Sequence, residues 1–165
     1  MMITLTGFMG SGKTTVGKVL ADALGCPFMD LDDLIVKKAG KTIPEIFAQD
    51  GEPAFRQLEA RLLRQTVEKY TENTVVLALG GGAVTTSASA TLLHEKTVCI
   101  YLRATLETLL QRLSGETAGR PLADDALSER LAAREPLYEE TAHVIIYTDG
   151  LAPDEVADEI IISSL

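Results

Sequence analysis

Apolar residues fall along this chain in two alternating rhythms. Short unbroken apolar runs rich in β-branched residues recur at 74–79 (TVVLAL), 97–102 (TVCIYL) and 143–148 (HVIIYT). Strands buried on both faces of a parallel sheet have this texture. Residues 2–6 (MITLT) and 27–30 (PFMD) read as two more strands. Between the runs the spacing turns helical. Val16, Leu20 and Leu24 predict a helix over 13–24, closed by Gly25. Thr42-Ile-Pro-Glu45 has the form of a capping box that opens a helix. Phe55, Leu58 and Leu62 form one stripe over 53–70, and 104–113, 126–142 and 153–164 read as further helices. Pro136, just after Arg134 and Glu135, is expected to kink or end its helix. Alternating β and α elements imply a parallel sheet with helices on both faces. Ligands in such folds sit at the carboxyl ends of the strands, so the loops after residues 6, 30, 79, 102 and 148 should share one edge.

Bulk properties narrow the setting. A chain of 165 residues with 46% hydrophobic and 24% charged residues fits one globular domain, 1–165, and shows no repeat or linker. The formal net charge of -9 argues against nucleic acid or an anionic membrane as a partner. Any anion must be held by a few placed groups. Cys26 and Cys99 stand far apart in apolar surroundings and are expected to be buried free thiols in a reducing compartment. Lys13 interrupts the first apolar stretch, so no signal peptide is expected there, and no apolar run approaches membrane-spanning length. The expectation is a cytoplasmic protein.

The chemistry begins at residues 7–15, GFMGSGKTT, which fit G-x-x-x-x-G-K-[S/T] between a predicted strand and a predicted helix. Gly10, Ser11 and Gly12 can turn backbone N–H groups onto phosphate, and the helix N-terminus adds its dipole. Lys13 can reach the β- and γ-phosphates of ATP, with Thr14 offering a hydroxyl to Mg²⁺ and Thr15 following in the first turn. The run at 75–79 ends in Gly80, Gly81 and Gly82, where many such proteins have a metal-binding Asp. Asp30 and Asp32, in FMDLDD, replace it at the end of the second strand. In extended chain their i, i+2 spacing points both carboxylates to one side. The competing reading makes them acids of a helix N-terminus, the role expected of Asp33. Arg56, Arg112, Arg120 and Arg134 suit a grip on carboxylate or phosphate, although an isolated Arg is more often a solvated face. Arg112 and Arg120 bracket LSGETAG, which suggests a lid over about 113–124.

Taken together, GFMGSGKTTVG, FMDLD, IPEIFAQDGEPAFRQLE, LALGGGAV, RPL and REPLYEE make the chain resemble the shikimate kinases, within the nucleoside-monophosphate-kinase-like P-loop group. The first motif is common to many kinases and ATPases, whereas DGEPAFR combined with GGGAV is specific. The resemblance implies a five-stranded parallel sheet in the order 2-3-1-4-5. It implies transfer of the γ-phosphoryl of ATP to the 3-hydroxyl of shikimate, a step toward chorismate, by a monomer with a substrate-binding segment at about 32–60. By motif, Asp32 contacts the ring hydroxyls as candidate base. Arg56 and Arg134 hold the shikimate carboxylate, Asp30 supports Mg²⁺ through water, and Lys13 and Arg120 meet the phosphates. Arg112 packs on adenine near 148–153. Gly80, Gly81 and Gly82 bring substrate against bare backbone, where a Cβ would push the ring away. A gluconate-type kinase would share the P-loop and lid but would not need paired arginines beside GGGAV. A nucleotide-binding module without transfer would not need Lys13, Thr14, Asp30 and Asp32 together.

Overall fold

The structure, a computed structural model, describes residues 1–116 and 124–165, with side chains for 1–114 and 125–165. Five parallel strands form one sheet: β1 (Met2–Thr6), β2 (Phe28–Asp30), β3 (Val75–Ala78), β4 (Val98–Arg103) and β5 (Val144–Tyr147). Their order is β2-β3-β1-β4-β5, as the resemblance implied. Leu5 and Asp30 both pair with Ala78, Thr6 with Tyr101, and Arg103 with Tyr147. The carboxyl ends are therefore level, and the loops that follow them share one edge.

The alternation of side chains along each strand builds two cores. Ile3, Leu5, Val76, Ile100 and Leu102 pack under helices α1 (Lys13–Leu24) and α7 (Pro153–Ser164), against Val16, Leu20, Val156 and Ile160. Met2, Val75, Leu77, Cys99 and Tyr101 face the opposite layer. That layer consists of α2 (Leu31–Ala39), α3 (Ile43–Lys69), α4 (Ser87–Lys96), α5 (Leu106–Glu116) and α6 (Asp124–Thr141). Burial of such side chains contributes roughly 1.5–3 kcal/mol each.

Several local expectations hold. Gly25 closes α1 with φ 63. Thr42 and Glu45 form the capping box, the Glu45 N–H donating to Thr42 Oγ1 at 3.3 Å and the Thr42 N–H to Glu45 Oε1 at 3.4 Å. The helix it opens runs into the 53–70 helix across a kink at Gly51 (φ 85, ψ 165), with Pro53 starting the second part.

Other expectations are corrected. The chain turns helical directly after Asp30, so Asp32 lies in the first turn of α2 and not in extended chain. Asp30 is the N-cap, its Oδ1 accepting from the N–H groups of Asp32 (2.9 Å) and Asp33 (3.4 Å). Helix α4 was not anticipated either. Helix α6 spans Asp124–Thr141, close to the expected 126–142, and of the two outcomes expected at Pro136 an end does not occur. Cys99 is buried and free, but Cys26, beyond the cap of α1, is only half-buried.

Candidate active site

The loop after β1 and the first turn of α1 form a cradle. Gly12 occupies the N-cap at φ 95, ψ 19, a left-handed conformation that a side chain would strain, and it offers no capping side chain. The first N–H groups of α1 are thus free to bind an anion. The Lys13 ammonium donates to the carbonyls of Gly7 (2.7 Å) and Phe8 (3.0 Å) across the loop. Burial pushes Lys13 down to about 8, against the opposing pull of Asp32 and Asp30. Thr14 Oγ1 donates to Asp30 Oδ2 at 3.0 Å, so one carboxylate caps α2 with one oxygen and meets the cradle with the other. A hydroxyl and a carboxylate are hard oxygen donors suited to Mg²⁺, which keeps several of its waters and binds few protein groups. Among the described residues no group of three or more His, Cys, Asp or Glu could hold a metal by itself.

The glycine run explains itself by what lies against it. None of Gly80, Gly81 and Gly82 has positive φ, so backbone conformation is not the reason for them. A Cβ on Gly80 would stand 2.9 Å from Asp32 Oδ1 and 3.3 Å from Glu59 Oε2. On Gly81 it would stand 3.4 Å from the Gly7 carbonyl and 3.6 Å from Arg134 Nη1; on Gly82 it would overlap the Arg56 guanidinium. The space that a Cβ would need at Gly80 and Gly82 is thus taken by the protein's own charged side chains. The turn is bare so that Asp32, Arg56 and Arg134 can converge on it.

Arg56 is held by an ion pair. Arg56 Nη1 donates to Glu59 Oε1 at 2.8 Å, with Glu59 only 1% exposed. Arg56 Nε and Glu59 Oε2 are buried without a hydrogen-bond partner, and Glu52 Oε1 stands off at 3.7 Å from the former. Arg134 lies near the Phe8 ring, 6.0 Å from its centroid. Tyr138, one helical turn along α6, donates its hydroxyl to the Gly81 carbonyl, fixing the turn from behind. Burial, reinforced by the Asp30 charge, raises the Asp32 carboxyl above its ordinary range, and burial raises Glu59 likewise.

Beside the cradle is a cavity of about 210 Å³ lined by Gly10, Gly12, Thr15, Arg112, Thr148 and Leu151, among others. Arg112 is tied there by its edges. Nη1 donates to the carbonyls of Gly10 (3.2 Å) and Ser11 (3.3 Å) and to Thr148 Oγ1 (3.3 Å), and Nη2 donates to the Thr148 carbonyl (3.3 Å). A larger cavity, about 410 Å³, lies between α4 and α6 and holds none of the expected site residues. Arg120 and most of the 113–124 segment fall outside the described residues.

The profile of the shikimate kinase family matches residues 9–164. The chain belongs to the shikimate kinase family. Among its relatives, the shikimate kinase of Enterococcus faecalis is 41% identical over 164 residues, covering 96% of this chain and 95% of that protein. The shikimate kinase of Salinibacter ruber is 42% identical over 158 residues, covering 88% of this chain and 76% of that protein. The solved structure of the Acinetobacter baumannii shikimate kinase in complex with shikimate superposes with a TM-score of 0.87 at 39% identity, covering 97% of this chain and 90% of that one. Shikimate kinase membership carries the fold and the kinase activity with it.

Sequence reading missed Glu59 and Tyr138 and, beyond the cleft, Arg103 at the end of β4, whose guanidinium donates to Glu135 and Glu139 of α6. Glu59 carried a signal, since it lies i+3 from Arg56 on a helix, within ion-pairing reach. Tyr138 and Arg103 carried none, because their partners are 57 and more than 30 residues away in sequence.

Proposed function

We propose that the cleft between the cradle and the glycine turn is where this shikimate kinase family member passes the γ-phosphoryl of ATP to the 3-hydroxyl of shikimate. The observation that carries the assignment is the convergence of Arg56, Arg134 and Asp32 on Gly80–Gly82, on the same sheet edge as Lys13. Two arginines can hold a carboxylate with charge-assisted hydrogen bonds. The raised Asp32 carboxyl stands beside them to orient a hydroxyl and take its proton.

ATP lies with its phosphates on the cradle of residues 10–15, at the N–H groups of the first turn of α1, and its adenine in the cavity beside Arg112. In-plane hydrogen bonds at the edges of that guanidinium leave its faces for stacking. Lys13, protonated, meets the charge of the transferring phosphoryl. Mg²⁺ would be held by the Thr14 hydroxyl, with Asp30 behind it through water. It would offset the charge of the phosphates. No described helix is long and apolar enough to cross a membrane.

The test is a transfer assay with shikimate, gluconate and a nucleoside monophosphate as competing acceptors. Shikimate is the expected acceptor, and Lys13→Met is expected to abolish transfer in a folded protein. Faster turnover of either other acceptor would replace this reading.

A further inference from the structure

One residue at the end of β4 ties the two halves of the cleft together. The Arg103 guanidinium donates Nη1 to Glu139 Oε1 (2.8 Å) and Nη2 to Glu135 Oε2 (3.0 Å), both on α6. The Arg103 carbonyl accepts from the Thr148 N–H (2.8 Å) and from Thr148 Oγ1 (3.2 Å). Thr148 is in turn bonded by Arg112, which also reaches the carbonyls of Gly10 and Ser11 in the cradle. On the far side, the neighbours of Glu135 and Glu139 on α6 are Arg134, which lies against Gly81, and Tyr138, which bonds the Gly81 carbonyl. A continuous run of bonds thus leads from the cradle through Arg112, Thr148, Arg103 and α6 to the glycine turn.

We propose that Arg103 is a positioning residue that couples nucleotide binding to shikimate binding. Its side chains are part-exposed, at 31% for Arg103, 29% for Glu135 and 44% for Glu139, so the two ion pairs add little to stability. Their effect is geometric. Glu135 and Glu139 are one helical turn apart, and a planar fork gripping both fixes the rotation of α6 about its axis. That rotation sets where Arg134 and Tyr138 meet Gly81. A nucleotide that orders Arg112 and Thr148 steadies the end of β4 and, through Arg103, the carboxylate grip. Coupling of this kind is reciprocal, so shikimate tightens nucleotide binding by the same factor. The inference rests on the roles given above to Arg112 and Arg134.

Calorimetric titration of shikimate with and without saturating ADP, and of ADP with and without shikimate, tests it. In the unaltered protein ADP should lower the shikimate Kd roughly fivefold, within the usual range of such couplings. Arg103→Met should bring that ratio close to one, with the weakening of shikimate binding larger in the presence of ADP than in its absence. Arg103→Lys, a point charge without the fork, should restore part of it. Should Arg103→Met fold poorly, the Glu135→Ala/Glu139→Ala protein removes both acceptors and should lose the coupling too. An unchanged ratio in these variants overturns the proposal, as does equal weakening with and without ADP, which marks a structural role. So does a ratio of one in the unaltered protein. If that protein binds ADP but not shikimate, the functional reading itself fails, and the proposal with it.

Discussion

At the scale of single residues, the site follows from what is missing as much as from what is present. GGGAV advertised a close approach in the sequence, but the approaching group could not be read there. Arg56 lies 26 positions earlier, and only the folded chain lays its guanidinium over Gly82. Gly82→Ala therefore puts a methyl group where the guanidinium is. Arg56 must swing away and loosen its 2.8 Å bond to Glu59. The shikimate KM should rise roughly 10- to 100-fold, the equivalent of a lost charged hydrogen bond, with the ATP KM nearly unchanged. Steady-state kinetics varying each substrate in turn checks this, and equal rises in both would mean general misfolding. Lys13 and Asp32 were legible from motif and resemblance, but their protonation was not, because it depends on burial and on each other's charge. The alkaline limb of kcat/KM for ATP should fall from about pH 8, where the free protein's Lys13 loses its proton. In kcat that limb should move to higher pH, since bound phosphates favour the ammonium. On the acid side kcat/KM should fall through a group titrating above the ordinary carboxylate range, as burial and Asp30 require of Asp32. A pH–rate profile from pH 4 to 10 measures both limbs. Coincident alkaline limbs would separate Lys13 from phosphate.

At the scale of elements, the strands and the longer helices were legible because burial on two faces, or on one stripe, writes itself into composition. Helix α2 entered only as the competing reading of Asp30 and Asp32 and the expected setting of Asp33, although its signals were complete. Asp30 as N-cap, acids at 32 and 33, Leu31 and Ile35 on one face, Lys37 and Lys38 in the last turn and Gly40 beyond form a complete helix description. Reading FMDLDD as a strand end hid it. Helix α4, SASATLLHEK, has little stripe to read, with Ser89 and Leu93 its buried residues. The consequence of α2 is that Asp30 serves two elements, capping α2 through Oδ1 and meeting Thr14 of α1 through Oδ2. Asp30→Asn keeps a good capping oxygen and loses the charge. Stability should hardly change, while turnover should fall and recover as Mg²⁺ rises. Asp30→Ala should lose about 1 kcal/mol of stability as well, the usual contribution of a cap. Denaturation curves and a Mg²⁺ series on both variants separate the two duties. If added Mg²⁺ rescues neither variant, Asp30 is a cap and nothing more.

At the scale of the whole molecule, a chain of net charge -9 gathers Lys13, Arg56, Arg112 and Arg134 along one sheet edge, and places a raised carboxyl among them. The edge was predictable from the alternation of elements. The stability lost in assembling it was not, since that depends on how much water each group gives up. Asp32 makes the conflict measurable, because two readings of it differ in sign. As an acid in the first turn of α2, it should stabilise the helix dipole, and removing its charge should weaken the fold. As a desolvated carboxyl beside Asp30, it ionises less readily in the folded chain than in the unfolded one, where such groups titrate near about 3.9. Ionisation then favours unfolding. The penalty is absent below the unfolded value, grows as pH rises, and is complete above the raised folded value. Since burial is the largest influence on this group, the second effect should win. Asp32→Asn should therefore raise the melting midpoint at pH 7, with the gain vanishing toward pH 3, while kcat falls about 10²- to 10⁴-fold with the lost base and misplaced hydroxyl. Melting curves at several pH values, read beside the kinetics, decide it. A variant less stable than the parent at pH 7 and equal to it at pH 3 would show that the dipole dominates and that Asp32 stands in the cleft at no energetic disadvantage.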